Sequence, residues 1–233
     1  YIDLGLYHQV ERSHPYYVEM IGEILALLGQ RFHGRQARLL ELGAGTGLAT
    51  LELLALENLT IDALEIDEEC LALLAEHTRS ERARCIQGDA VTYCRNNPYD
   101  CVVSVFAHDH IHYDKAEIFA RNIRNNLSRG GVYIMGGEIL PRFTSEAERI
   151  DALKRYHGFI VNAAIAHGDY ELAQIEINAL KSGVFRVGDF KRHESQFEEE
   201  MLSADFQLLS KVKVGPDTPD DVGGVYVYVF QAV

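Results

Sequence analysis

A chain of 233 residues with 47% hydrophobic content holds enough apolar material for one globular domain with a cap, and is not a disordered chain. Its 22 Lys and Arg stand against 35 Asp and Glu, a formal net charge of −13. That balance argues against a nucleic-acid backbone as the main partner, which would require a basic face.

Tyr1 to His14 is polar-aromatic and irregular. Pro15 opens a helical stripe of Tyr16, Val18, Met20, Ile21, Ile24, Leu25, Leu27 and Leu28, with Gly29 as its expected stop. Leu39 to Leu42 reads as a strand, followed by a turn with glycines on alternate positions and a helix from Leu48 to Leu56. A second strand runs from Leu59 to Leu64 and ends at Glu65. Asp67 is the expected cap of the next helix, and Ala83 to Gln87 is a third strand. Gly88-Asp89-Ala90 is expected to lead into another helix. Tyr99 to Phe106 is rich in β-branched residues and reads as a strand buried on both faces. A histidine-rich loop, Ala107 to Tyr113, precedes a helix over Lys115 to Leu127 and a strand over Val132 to Met135. This βα alternation predicts a doubly wound, mostly parallel α/β sheet. Beyond Pro141 the pattern changes. Forty residues from Thr144 to Gly183 are helical, a further helix covers Glu194 to Asp205, and Phe206–Val214 and Gly223–Val229 form a hairpin that makes the last strand antiparallel.

The four cysteines (Cys70, Cys85, Cys94 and Cys101) form no C-x-x-C pair and match no zinc spacing. They read as reduced packing residues, which fits a cytoplasmic location. No apolar run is long enough to span a membrane, and Tyr1-Ile2-Asp3 is not a signal peptide. With Tyr1 and not Met at the start, a trimmed chain is the expectation.

The glycine turn, Gly43-Ala44-Gly45-Thr46-Gly47, fits neither a dinucleotide fingerprint, since Leu48 fills the sixth position, nor a phosphate loop, since no Lys follows Gly47. Glu41 stands just ahead of it, where a carboxylate would repel a pyrophosphate and suit a cationic amino group. Glu65 ends the second strand about twenty residues on, at the position suited to ribose hydroxyls. Asp89 ends the third strand and can accept from an exocyclic amine such as that of adenine; Phe106 and Ala107 end the fourth. All lie at carboxyl ends of parallel strands, where open α/β sheets bind ligands. They describe a ligand with an amino acid part, a ribose and an adenine, without phosphate.

On these motifs, with Tyr99 to Ser104 and Leu127 to Ile134, the sequence resembles the class I S-adenosylmethionine-dependent methyltransferases from Leu39 to about Met135. The resemblance implies seven strands, the last antiparallel. It also implies cofactor contacts from Glu41, Gly43, Ala44, Gly45, Thr46 and Gly47 to the methionine part, from Glu65 to the ribose, and from Ile66, Asp89 and Ala90 to the adenine. It implies a helical insertion after strand five that roofs the active site, and an N-terminal segment that closes over the cofactor. The expected organisation is a lid over 1–38, the cofactor-binding core over 39–140, a helical cap over 141–191, and core completion over 192–233. S-adenosylhomocysteine is the expected product.

The chemistry is expected in the histidine loop and the cap. Histidine suits general-base work near neutrality. His108 and His110 are the candidate bases, with Asp109 as orienter. Two other readings stay open: a divalent metal on His108, His110 and His112, and plain packing. Tyr7, Tyr156, His157 and Phe159 are the candidate substrate contacts. Glu138, just past the fifth strand, is placed where it could reach the substrate, with a solvated loop as its expected state. The function expected is methylation of a small metabolite at O or N, with no nucleic acid or membrane as partner. Methylation of protein or RNA, and a non-catalytic partner subunit that keeps the fold, are the alternatives.

Overall fold

The computed structural model describes residues 12–233. Tyr7, one of the candidate substrate contacts, lies outside them. The strands are β1 (Ala37–Leu42), β2 (Leu59–Glu65), β3 (Ala83–Gln87), β4 (Tyr99–Val105), β5 (Leu127–Leu140), β6 (Arg192–His193), β7 (Phe206–Gly215) and β8 (Gly224–Ala232). The helices are α1 (Tyr17–Arg31), α2 (Leu48–Leu53), α3 (Glu68–His77), α4 (Ala116–Asn126), α5 (Glu146–His167), α6 (Tyr170–Phe185) and α7 (Glu194–Leu202).

The strand order is β3-β2-β1-β4-β5-β8-β7, and β6 adds two residues beside the end of β5. Strands β1 to β5 are parallel, and β8 runs antiparallel between β5 and β7. β1 pairs with both β2 and β4, so the chain reverses its direction of winding there. A crevice opens at such a switch point, outside the carboxyl ends of the strands.

Two apolar layers cover the two faces of the sheet. Alternation along β1 sends Leu39 to one face and Leu40 to the other. On the first face, Tyr17, Met20, Ile24 and Leu28 of α1 pack on Val103, Ile134 and Val227. Their spacing is the helical stripe visible in the sequence. On the second face, Phe119 and Ile123 of α4 and Phe197 and Met201 of α7 pack on Val102, Tyr133 and Tyr228. A third apolar cluster joins α5 to α6 through Leu153, Tyr156, Ile160 and Leu172, against Leu140 at the end of β5.

The structure departs from the sequence reading at four points. α1 runs through Gly29 to Arg31, because its buried stripe outweighs one glycine in a helix of 15 residues. Residues 88–98 form turns and no helix, so β3 and β4 are joined without a crossover helix. β5 is 14 residues long and not four. It starts at Leu127, directly after α4, passes Gly130-Gly131 without stopping, and continues to Leu140. Glu138 therefore lies within β5 as a half-buried strand residue with an ion-paired side chain, and not in a solvated loop. The short β6 raises the strand number from the expected seven to eight.

Candidate active site

The crevice at the switch point holds about 460 Å3. The turn after β1 makes its floor. Gly43 and Gly45 have φ of +66° and +54°, conformations that L side chains rarely adopt. A Cβ on Gly43 would sit 2.7 Å from that of Ala107, so β1 and β4 meet there only because Gly43 lacks one. A Cβ on Gly45 would meet nothing within 4 Å, which leaves its backbone open to a ligand.

Three carboxylates line the crevice: Glu41, Glu65 and Asp89. Glu41 accepts from the Thr50 hydroxyl at 2.6 Å. Glu65 accepts from the backbone N–H of Gly45 at 2.8 Å, of Ile66 at 2.8 Å and of Asp67 at 2.9 Å, which ties the end of β2 to the glycine turn. Asp89 accepts from the Val91 N–H at 2.8 Å and so shapes the turn after β3. A carboxylate offers about four acceptor positions, so each retains capacity for a ligand. Ala44, Ala90, Phe106 and Ala107 line the same crevice, as does Ile66, which is largely exposed. Thr46 and Gly47 stand behind it. The Thr46 carbonyl bonds to the His77 ring at 2.8 Å, and Gly47 packs against Leu74. The donor set fits the methionine, ribose and adenine parts of S-adenosylmethionine: bare backbone at Gly45, acids at three strand ends, and no Lys or Arg on the glycine turn.

The histidine loop divides. His108 points away from the crevice into the second apolar layer. It lies edge-on to Phe119 and Phe197, at 5.2 and 4.6 Å, and bonds to the Tyr133 hydroxyl at 3.2 Å and Glu200 at 3.5 Å. Burial holds its imidazole below the ordinary value, against the opposing pull of Glu200. His108 is thus a core residue, and the expectation that it faces the reacting atoms is corrected. His110 lines the crevice and bonds through Nδ1 to the Gly188 carbonyl at 2.5 Å. The charge of Asp109 raises its imidazole, against burial. His112 also lines the crevice and packs edge-on to Phe190 at 4.6 Å. The three histidines do not converge, and among the described residues no group of three or more His, Cys, Asp or Glu is placed to hold a metal.

Beside the crevice, under α5 and α6, lies a buried polar cluster that the sequence does not announce. Lys191 Nζ pairs with Asp189, with Glu138 at 3.0 Å and with Asp109 at 3.5 Å. Burial alone would lower the Lys191 ammonium, but these carboxylates hold it well above its ordinary value. His14 Nε2 lies 3.2 Å from Glu138 and 3.5 Å from Glu176. The Tyr156 hydroxyl donates to Glu138 at 2.6 Å, and His157 Nδ1 meets Glu176 at 2.8 Å. Tyr156 and His157 are therefore brought together in this cluster. Phe159 is not; it lines an outer groove between α5 and the β7–β8 loop, with Arg155 and Asp221. A signal for the cluster did exist. Glu176 sits on the α6 stripe of Leu172, Ala173 and Gly183, and His157 on the α5 stripe of Leu153, Tyr156 and Ile160, so each is a polar residue at a core position.

Phe106 joins the two regions. It lines the crevice, and its ring packs on His14 with centroids 4.8 Å apart. Its φ of +47° is rare for a side-chain-bearing residue, and backbone strain of this kind gathers at functional sites.

Residues 39–131 match the family model described as "Methyltransferase domain". No curated protein matches the chain. Among solved structures, the N-methyltransferase NodS from Bradyrhizobium japonicum is 13% identical over 95% of this chain and 98% of its own, with a TM-score of 0.62. An S-adenosylmethionine-dependent methyltransferase from Clostridium acetobutylicum is 12% identical over 98% of this chain and 96% of its own, at 0.65. A putative sarcosine dimethylglycine methyltransferase from Galdieria sulphuraria is 14% identical over 91% and 84%, at 0.63.

Proposed function

We propose that the chain is a class I S-adenosylmethionine-dependent methyltransferase that methylates an O or N atom of a small metabolite. The observation that carries this reading is the crevice at the β1/β4 switch point, with three strand-end carboxylates and an open glycine backbone in one cavity. S-adenosylmethionine, when bound, supplies an electrophilic methyl group for in-line displacement by the acceptor. The protein has to bind, orient and deprotonate.

Glu41 with the Gly43–Gly47 turn holds the amino acid part, Glu65 the ribose, and Asp89 with Ile66 and Ala90 the adenine. Phe106 and Ala107, just past the end of β4, complete the cofactor's wall of the crevice. Of the histidine loop, His110 is the candidate base. If its Nδ1–H donates to Gly188, its Nε2 is the lone-pair nitrogen that takes the acceptor's proton. The Gly188 carbonyl orients the ring, and Asp109, which pairs with Lys191, raises its basicity through charge. The net charge of −13 and the buried, capped neighbourhood support a small acceptor over nucleic acid. Two similar structures, an N-methyltransferase and a putative sarcosine dimethylglycine methyltransferase, support the same reading. No helix of the described residues is long and apolar enough to cross a membrane; a cytoplasmic enzyme is the matching proposal.

The test is calorimetry with S-adenosylmethionine, followed by turnover of His110→Ala and His108→Ala. Binding is expected. His110→Ala should lower kcat by about a hundredfold or more, the usual contribution of a general base. His108→Ala should lower the melting temperature and leave kcat per folded molecule close to that of the parent. No binding at millimolar S-adenosylmethionine would sink the reading, and full turnover by His110→Ala would remove the base.

A further inference from the structure

We propose that Glu138 and Glu176 bind a cationic amino group of the methyl acceptor, in the place where the structure seats the imidazole of His14. The inference rests on the methyltransferase reading above and names the class of acceptor that reading leaves open.

The argument begins with charge. Asp109, Glu138, Glu176 and Asp189 are all in the cluster under α5 and α6, and among the described residues Lys191 is its one ammonium. Lys191 reaches Asp109, Glu138 and Asp189. Glu176, 2% exposed on α6, is bonded instead by two imidazoles, those of His157 and His14. Burying a carboxylate costs several kcal/mol unless a cation and hydrogen bonds compensate it. A purely structural solution would place a Lys or Arg of the fold there. The structure uses His14, which belongs to no helix or strand: it stands on the segment ahead of α1, next to the exposed Ser13 and Arg12.

His14 is seated as a ligand would be. Its Nε2 lies between the two carboxylates, at 3.2 Å from Glu138 and 3.5 Å from Glu176, and its ring packs on Phe106. Burial by itself would lower the imidazole. The hydrogen bonds and charges of Glu138 and Glu176 overcome that and raise it to about 10, so a cation is what the place selects. A second observation points to a ligand. His157 is fully buried, its Nδ1 bonds to Glu176, and its Nε2 has no partner among the described residues. An orphaned ring nitrogen in a native interior calls for a further polar group. The Tyr156 hydroxyl on Glu138 completes the polar wall.

Position makes this an acceptor subsite. Phe106 borders both the crevice and His14, and Asp109 follows the crevice residue Ala107 by two positions. An ammonium that displaced His14 would gain both carboxylates and lie one aromatic ring from the crevice. Ammonium over an aromatic face adds to such binding.

The test uses methyl-, ethyl-, propyl- and butylammonium chloride, with the matching alcohols as neutral controls, on the full chain with 15N-labelled histidine. The ring signals of His14 are assigned by its loss in His14→Ala. Alkylammonium ions should release His14, so that its pKa falls from about 10 towards 6.5; alcohols should leave it unchanged. Glu176→Gln should weaken ammonium binding at least tenfold without changing the affinity for S-adenosylmethionine. His14→Ala should strengthen it, because the competing cation is gone. If S-adenosylmethionine binds but no alkylammonium moves His14, or the alcohols move it equally, the cationic acceptor is overturned and the methyltransferase stands. If S-adenosylmethionine does not bind, the methyltransferase reading itself falls.

Discussion

Single residues in this chain do different work from what their type suggests. Glu65 ends β2 and would ordinarily count as a solvated strand-end acid. Here its side chain gathers three backbone N–H groups and so shapes the glycine turn. Glu65→Ala should weaken S-adenosylmethionine binding by about ten- to a hundredfold in calorimetry, the scale of a lost charge-assisted bond of about 1.5–3 kcal/mol. The strand-end acids were legible because the parallel sheet fixes where each strand stops, and Glu65 and Asp89 each follow an apolar run. His108 was not legible. It sits in a run with His110 and His112, and a one-dimensional pattern cannot say which member of a loop turns inward. The packing of Phe119 and Phe197 decides that, and Phe197 lies 89 positions further on.

At the scale of elements, periodicity carried most of the reading. β1 to β4, α3, α4 and the C-terminal hairpin fall within a few residues of the expected bounds, since each buries a stripe or an alternating face. Asp67 caps α3 as expected, accepting from the N–H groups of Glu69 and Cys70. The length of β5 was hidden because Gly130-Gly131 and Gly136-Gly137 look like stops. In the sheet Gly131 and Gly136 serve close approach: a Cβ on Gly131 would meet the Ser128 carbonyl at 2.9 Å, and one on Gly136 would meet Met20 Sδ of α1 at 2.7 Å. The contact between the β1–α2 turn and the β4 loop is equally tight. Gly43→Ala should lower the unfolding free energy by about 1–3 kcal/mol in a urea melt, from a strained positive φ together with overpacking on Ala107. It should weaken S-adenosylmethionine binding in parallel. A variant of unchanged stability would mean that β1 and β4 have room to separate there.

For the molecule as a whole, the crevice that we assign to the cofactor was readable, whereas of the buried cluster that we assign to the acceptor only Tyr156 and His157 were picked out. The first is assembled from motifs in one continuous stretch, 39–131. The second brings together His14, Glu138, Tyr156, His157, Glu176 and Lys191, which no short window contains. This assembly gives the fold a dependence on pH. The His14 imidazole is raised from 6.5 to about 10 in the folded state, so the folded chain binds the extra proton between those values. The stability it contributes is complete below pH 6.5 and is lost as the pH rises towards 10. Thermal melts from pH 6 to 10 should show the parent losing its advantage over His14→Gln across that window; parallel curves would deny His14 its charge. β5 has a further consequence. It runs from the second apolar layer to the base of α5, and α5 meets the sheet through its last residues, Leu140 in the third apolar cluster and Glu138 at the Tyr156 hydroxyl. The helical hairpin is therefore a graftable part. On the proposed reading, exchanging it, with residue 14, would alter which molecule is modified while the donor half is inherited intact, a division of labour on which diversification of such enzymes can draw.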